Sequence, residues 1–189
     1  MARVALVTGG MGGLGEAICI KLAALGYKVV TTHSPGNTKA HEWLQTMNNM
    51  GYGFKAVPCD VADFDSCKAC VEQVIKEVGP VDVLVNNAGI TRDMTFKKMT
   101  KADWDAVIST NLDSAFNMTK QVMDGMVERK WGRVINVSSV TARRAPSARP
   151  TTPPPRPACT ASPRRWRWKW RAMASPSTPS RRATSAPRW

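Results

Sequence analysis

The sequence predicts an α/β protein built on a doubly wound, parallel sheet. Five apolar runs with strand character alternate with four helical patterns over residues 1–140, and the joints between them are short. Strict alternation of this kind is typical of a parallel sheet whose helices cover both faces. A glycine-rich turn directly follows the first run. Ligands of such sheets bind at the carboxyl ends of the strands, so we expect the functional site at that edge.

The elements are predicted from apolar periodicity and from the glycines that interrupt it. The expected strands cover residues 3–8, 27–32, 54–58, 81–85 and 132–139. The expected helices cover residues 13–25, 39–50, 64–78 and 101–129. The fourth strand is almost wholly apolar, which is typical of a strand covered on both faces.

Charge and composition divide the chain in two. The net charge is +13, yet residues 1–140 hold 15 Lys and Arg against 14 Asp and Glu. Residues 141–189 hold 12 Lys and Arg, no acid and 10 of the 13 prolines, and they lack Val, Leu, Ile, Phe, Tyr and Gly. Such a composition cannot build a packed core. We therefore expect a near-neutral α/β domain over 1–140 and a disordered tail over 141–189.

The cysteines indicate a reducing compartment. Their number is odd, and the N-terminus has neither a charged n-region nor a long apolar stretch, so we expect a cytoplasmic protein with reduced thiols and no membrane segment. Cys67 and Cys70 have the spacing of a redox motif, but they fall inside a helical pattern. We interpret them as ordinary helix positions and predict no metal site.

The turn Thr8-Gly9-Gly10-Met11-Gly12-Gly13-Leu14-Gly15 stands between the first strand and the first helix. Glycines allow a tight turn and a close approach of backbone N–H groups to a phosphate. The positive end of the helix dipole then favours the negative charge. Since a glycine-rich turn alone can be an ordinary loop, its position between strand and helix carries the prediction of a dinucleotide site.

Further polar residues fall at the same edge. Asp60 follows the third strand, Asn86 and Asn87 end the fourth, Asn111 lies in the long helix, and Ser139 ends the fifth. Each also has a structural explanation, as a helix cap, a turn residue or a strand terminus. Their convergence on one edge favours a functional site.

The segment after the second strand indicates which dinucleotide is bound. A cofactor with a free ribose 2′-hydroxyl usually meets an acidic residue there. Residues 31–39 contain no acid, and Lys39 would suit a phosphate at that position. We therefore predict NADP(H) rather than NAD(H), while Lys39 as a solvated residue at a helix start is the alternative.

Together these residues resemble the short-chain dehydrogenase/reductases. The resemblance rests on the glycine turn, on Asp60, Asn111 and Ser139, and on Asn87-Ala88-Gly89. The longer runs 86–93, 96–108 and 117–122 resemble the branch that reduces acetoacetyl-CoA in polyhydroxyalkanoate synthesis. The 3-oxoacyl-carrier-protein reductases share the run Ile90-Thr91-Arg92-Asp93 and are the alternative branch.

The resemblance implies hydride transfer from NADPH to the 3-keto carbon of acetoacetyl-CoA by a homotetramer. Ser139 would hydrogen-bond the carbonyl, Asn111 would hold a water, and a Tyr-x-x-x-Lys pair would donate the proton. Asp93 and Lys98 would line the substrate entrance. The cofactor would be bound by Gly9, Gly12, Gly13, Leu14, Gly15, Ser34, Lys39, Asp60, Val61, Asn87, Ala88, Gly89 and Ile90.

The expected Tyr-x-x-x-Lys pair is absent, and Thr152 and Arg156 hold its positions. Codons can be chosen for residues 150–157 that, read from a neighbouring frame, encode Asn-Tyr-Ser-Thr-Ala-Lys-Ala, with the Tyr and Lys at the family's spacing from Ser139. Residues 180–189 recode in the same frame to Val-Ser-Pro-Gly-Tyr-Ile-Gly-Thr-Glu-Met, which resembles the family's nicotinamide-side loop. We therefore hypothesise that the reading frame changes after Val140.

As written, the chain is expected to lack activity because threonine cannot replace a tyrosine as the proton donor. A different class of function is a binding module: the segment 164–171 alternates cations and indoles, which suits single-stranded nucleic acid or a membrane surface. A changed frame already explains that composition, so we do not expect nucleic acid or a membrane as a partner.

Overall fold

The computed structural model of the chain describes residues 2–138. Ser139, Thr152, Arg156 and the basic tail lie outside the described residues, so the roles predicted for them remain predictions.

Five parallel strands form one sheet in the order β3-β2-β1-β4-β5. They are β1 (Val4–Val7), β2 (Lys28–His33), β3 (Lys55–Pro58), β4 (Val81–Asn86) and β5 (Arg133–Asn136). From β1 the chain winds outward through β2 to β3, then returns to the other side of β1 for β4 and β5. The winding therefore reverses between β1 and β4, where a doubly wound sheet binds its ligand. This confirms the predicted fold class, and each predicted strand overlaps an observed one.

Helices follow the strands along the chain. They are α1 (Gly13–Ala24), α2 (Ala40–Asn49), α3 (Phe64–Glu77), α4 (Lys101–Ile108) and α5 (Ser114–Glu128), with a short 3₁₀ turn over Phe96–Lys98. Thr100 caps α4 through a capping box, because its side chain accepts from Asp103 N–H while the Asp103 carboxylate accepts from Thr100 N–H.

The single helix predicted over 101–129 is wrong in one respect. A π-helical segment, Ser109–Asp113, separates α4 from α5. A π turn inserts one extra residue into the helical repeat. The apolar residues on either side of such an insertion still have approximately helical spacing, so the sequence pattern does not reveal it. Asn111 therefore lies in a widened turn and not in a regular helix.

The strands alternate their side chains between two cores, as parallel strands covered on both faces should. Leu6, Val30 and Leu84 are buried on one face, in a cluster that includes residues of α3 and α5. Val7 and Val85 are buried on the other face, in a cluster that includes Cys19 of α1. None of the helices within residues 2–138 is both long and apolar enough to cross a bilayer.

At the amino edge of the sheet, Asp82 joins β1, β4 and the end of α5. Its carboxylate accepts a hydrogen bond from Val4 N–H at 3.0 Å and lies 3.7 Å from Arg129 Nε. Arg129 also donates to the Val81 carbonyl at 2.7 Å. The side chain that interrupts the apolar fourth strand is therefore paired, and it fixes the edge opposite the predicted site.

Leu6→Ala tests the location of the core. Leu6 has no exposed surface, so its truncation should lower the free energy of unfolding by about 2–5 kcal/mol through lost burial and a residual cavity. Leu25→Ala is the matched control, since Leu25 is 63% exposed at the end of α1. Denaturant titrations of the two variants measure the difference, and equal losses would contradict the described packing.

Candidate functional site

The glycine turn leads from β1 into α1 and leaves space beside the first turn of the helix. Gly9 and Gly13 have φ angles of +63° and +52°, which favour glycine. A Cβ built on Gly12 or Gly13 would meet no heavy atom within 4 Å. The first N–H groups of a helix have no intrahelical partner and lie at the positive end of its dipole. A phosphate group fits this position.

Two other glycines of the turn are required by packing. A Cβ on Gly15 would stand 2.3 Å from the Gly9 carbonyl oxygen, and one on Gly10 would stand 2.3 Å from Thr31 Oγ1. Gly10 was not among the residues predicted for the site. The sequence shows several consecutive glycines but not which of them face the protein and which face open space.

Hydrogen bonds join the turn to the end of β4. Thr8 Oγ1 accepts from the N–H groups of Asn87 and Ala88, each at 3.0 Å. The Asn87 side-chain amide donates to the carbonyls of Thr8 and Gly9, also at 3.0 Å each. We call this set the Thr8–Asn87 junction. Asn87 is thus more than a turn residue, because it fixes the glycine turn against β4.

Two threonines of β2 support the turn from the other side. Thr31 Oγ1 accepts from Gly10 N–H at 2.8 Å and donates to the Val7 carbonyl at 3.1 Å. Thr32 Oγ1 accepts from Gly9 N–H at 3.3 Å. Sequence reasoning missed both, although two adjacent threonines directly after Val29 and Val30 were a signal. The ends of β2, β1 and β4 therefore hold the turn together.

Asp60 and Val61 lie in the loop between β3 and α3, which we call the β3–α3 loop (residues 59–63). The helix cap is Asp63, whose carboxylate accepts from Ser66 N–H at 2.6 Å, so Asp60 does not cap α3. Asp60 is exposed and accepts from Ala62 N–H at 3.0 Å. Its exposed position at the carboxyl edge leaves it accessible to a ligand.

Asn117 of α5 holds this loop from below. Its side-chain amide donates to the carbonyls of Val61 at 3.1 Å and Ala62 at 3.2 Å. Asn117 is buried and was not predicted as a site residue. A lone asparagine within a long helical pattern carries no sequence signal for this role.

Asn111 holds the segment that follows β4. Its Oδ1 accepts from Ile90 N–H at 2.8 Å, and its Nδ2 donates to the Ile90 carbonyl at 2.9 Å. The π-helical segment brings the asparagine to this position, and π insertions are frequent at functional sites. This pairing makes Asn111 a positioning residue for Ile90, and the water-holding role stays a prediction.

Asn86, the last residue of β4, is buried beneath this segment. Its side-chain amide donates to Asn136 Oδ1 at 2.8 Å and to Thr119 Oγ1 at 3.3 Å. These bonds join β4, β5 and α5. The turn-residue interpretation does not hold for Asn86, because its amide connects three elements inside the fold.

The remaining predicted residues are exposed around the edge. Ser34 and Lys39 lie between β2 and α2, where Asn37 Oδ1 accepts from Lys39 N–H at 2.9 Å. The Asn37 amide also lies 3.7 Å from Met11 Sδ, which places this segment beside the glycine turn. Other exposed members of the predicted set are Leu14, Gly89, Asp93 and Lys98.

Three features together define a nucleotide-binding α/β protein. They are a parallel sheet whose winding reverses between β1 and β4, a glycine turn at that point, and the Thr8–Asn87 junction. The profile of the short chain dehydrogenase family matches residues 3–150. The chain belongs to that family.

Several reductases are similar to this chain in sequence. An acetoacetyl-CoA reductase from Cupriavidus necator is 55% identical over 142 residues, which are 75% of this chain and 58% of the relative. Another from Allochromatium vinosum is 51% identical over 76% of this chain and 59% of its own length. A 3-oxoacyl-[acyl-carrier-protein] reductase from Staphylococcus aureus is 39% identical over 74% and 57%. The chain thus spans less than two thirds of these relatives.

A solved structure agrees with the fold. The gluconate 5-dehydrogenase from Burkholderia cenocepacia, in complex with NADP and tartrate, has a TM-score of 0.71 and 33% identity. The similarity covers 80% of this chain and 58% of that one.

Thr8→Val tests the junction. Valine keeps the shape of threonine but leaves Asn87 N–H and Ala88 N–H without their acceptor, so the free energy of unfolding should fall by about 1–3 kcal/mol. Thr8→Ser keeps the hydroxyl and should retain most of that stability. Denaturant titration of both variants measures the effect, and a serine variant as unstable as the valine variant would argue against the hydrogen bonds.

Proposed function

We propose that residues 2–138 form the NADP(H)-binding part of a ketoreductase whose substrate is acetoacetyl-CoA. The observation that carries the proposal is the open space over Gly12 and Gly13 at the start of α1, beside the point where the sheet reverses. Membership in the short chain dehydrogenase family supports a redox reaction. The relative from Cupriavidus necator supports the substrate.

Different residues at the carboxyl edge of the sheet would bind different parts of the cofactor. The first turn of α1 would hold the pyrophosphate, with Gly9, Gly13 and Gly15 shaping the backbone beneath it. Asp60 and Val61 would contact the adenine. Residues 87–90, held by Thr8 and Asn111, would border the nicotinamide side. NADPH supplies the hydride when bound, and the protein's part is to orient it and exclude water.

The segment between β2 and α2 favours the phosphorylated cofactor. Residues 31–39 contain no acid that would repel a 2′-phosphate. Lys39 and Ser34 are exposed there, beside the glycine turn, and can supply a charge and a hydroxyl. The NADP found in the gluconate 5-dehydrogenase structure supports the same choice.

Asp93 and Lys98 would act on the substrate side, since both are exposed in the segment that joins β4 to α4. A reductase of 3-oxoacyl carrier proteins is the second candidate, and the relative from Staphylococcus aureus supports it at lower identity. The higher identity to acetoacetyl-CoA reductases favours the coenzyme A thioester.

Proton donation is the step that the written chain lacks. Ser139 would bind the substrate carbonyl, but Thr152 and Arg156 stand where the resemblance places a tyrosine and a lysine. An aliphatic hydroxyl is too weak an acid to protonate the developing alkoxide as a tuned phenol would. We therefore propose that the chain as written binds NADPH without reducing a ketone.

Substitutions at Gly12 test the phosphate position. Gly12 is the N-cap of α1 with extended backbone, so asparagine and aspartate both suit it and should leave stability unchanged. Gly12→Asp places a negative charge beside the pyrophosphate and should weaken NADPH binding about tenfold more than the isosteric Gly12→Asn. Titration of NADPH fluorescence measures both. Equal affinities in the two variants would place the pyrophosphate elsewhere.

The reading-frame hypothesis is tested by sequencing the coding DNA across codons 135–160 and by assay. Insertion of one base after codon 140 should restore the tyrosine and lysine, and the restored protein should oxidise NADPH when acetoacetyl-CoA is added. The chain as written should show no such oxidation. Activity of the written chain, or DNA in which no alternative frame encodes the pair, would contradict the hypothesis.

A further inference from the structure

Three cysteines meet beneath the β3–α3 loop. Cys59 follows β3, while Cys67 and Cys70 lie three residues apart on the inner face of α3. All three are buried, and the sulfur atoms of Cys59 and Cys67 are 4.0 Å apart. In the part of the chain that the structure describes, no three His, Cys, Asp or Glu side chains form a metal site. The sulfur atoms of Cys59 and Cys67 are close enough for the two thiols to react with each other.

Cys67 also supports the backbone of the loop. Its single S–H has two backbone acceptors within reach, the Asp60 carbonyl at 3.7 Å and the Val61 carbonyl at 3.6 Å, and donates to one of them at a time. These are the two residues proposed to contact the adenine. A chemical change at Cys67 Sγ therefore acts directly on the loop that borders the cofactor.

The three thiols of the cluster differ in pKa. Hydrogen bonds from the thiols of Cys67 and Cys70 lower the pKa of Cys59 to about 4. The hydrogen bond to Cys59, followed by burial, raises the pKa values of Cys67 and Cys70. Cys59 is therefore the thiol of this cluster that loses its proton most readily, and a thiolate is the form that reacts with peroxides.

We propose that Cys59 and Cys67 form a reversible disulfide that rearranges the β3–α3 loop and weakens NADP(H) binding. The effect on binding rests on the proposed function, whereas the disulfide and the loop change do not. The oxidant is hydrogen peroxide. Cys59 sulfur attacks one peroxide oxygen, the O–O bond breaks, and a sulfenic acid forms while the other oxygen leaves as hydroxide and takes up the Cys59 proton to become water. Cys67 sulfur then attacks the sulfenic sulfur, the S–O bond breaks, and the oxygen leaves as a second water. The thiols lose two electrons, which reduce the peroxide.

The geometry gives the direction of the effect. A disulfide brings the two sulfurs to about 2.05 Å, roughly half their present separation, and removes the Cys67 proton. The Asp60 and Val61 carbonyls then lose Cys67 as a donor, and the backbone at Cys59 must move. Asn117 still donates to the Val61 carbonyl, so the loop is shifted rather than released. Coupling is reciprocal, so bound NADPH should in turn shift the thiol–disulfide equilibrium towards the reduced form.

Trypsin identifies the bridge in the full-length chain. Cleavage after Lys55 and Lys68 places Cys59 and Cys67 in one peptide and Cys70 in the next. After treatment with hydrogen peroxide and alkylation, the peptide 56–68 should be unalkylated and two hydrogens lighter, and dithiothreitol should reverse the change. Cys70→Ser should still form the bridge, whereas Cys67→Ser and Cys59→Ala should not. A bridge from the peptide 56–68 to Cys70, or no bridge, would overturn the proposal.

Two further measurements test the consequence. Amide hydrogen exchange over residues 60–63 should be faster in the oxidised chain without any cofactor, and unchanged exchange would overturn the proposed loop change. The dissociation constant of NADPH should rise about tenfold on oxidation in the wild type and in Cys70→Ser. It should not change in Cys67→Ser. Failure of the reduced chain to bind NADPH would refute the proposed function, while the mass and exchange results would still decide the bridge.

Discussion

The Thr8–Asn87 junction is the interaction on which the candidate site depends. One buried hydroxyl accepts two backbone N–H groups from β4, and one amide returns two hydrogen bonds to the glycine turn. Strands β1 and β4 are adjacent but distant in sequence, so nothing local sets the relative height of their ends. The ladder that pairs Val7 with Val85 sets it, and the junction continues this pairing past the ends of the strands, so that the glycine turn presents the start of α1 at a defined position.

Helix α5 and the π-helical segment before it position the loops on both sides of the Thr8–Asn87 junction. Asn111 holds Ile90 on the β4 side, and Asn117 holds Val61 and Ala62 on the β3 side. A regular helix repeats every 3.6 residues, so the π-helical insertion changes which side chains reach each loop. Two asparagines six residues apart thereby position the two loops proposed to border the nicotinamide and the adenine.

The parts that follow from local pattern were predictable from the sequence. Alternating apolar runs and terminating glycines predicted the strands, the first three helices and the order of these elements along the chain. Asp60, Asn87 and Asn111 were predicted as site residues. The hydrogen-bond partners of Asn87 and Asn111 could not be predicted, because they are distant in sequence. The need for glycine at position 10 comes from the nearby side chains of Thr31 and Cys19. The role of Asn117 comes from its hydrogen bonds to the β3–α3 loop. The grouping of Cys59 with Cys67 and Cys70 likewise needs the packing of α3 against β3.

The most direct test of this account is a crystal structure of the chain with bound NADPH. We expect the pyrophosphate over Gly12 and Gly13, the adenine beside Asp60 and Val61, and the 2′-phosphate within reach of Lys39. The Thr8–Asn87 junction should keep its hydrogen bonds when the cofactor is present. A dinucleotide bound away from the start of α1, or an edge without a dinucleotide at saturating NADPH, would contradict it.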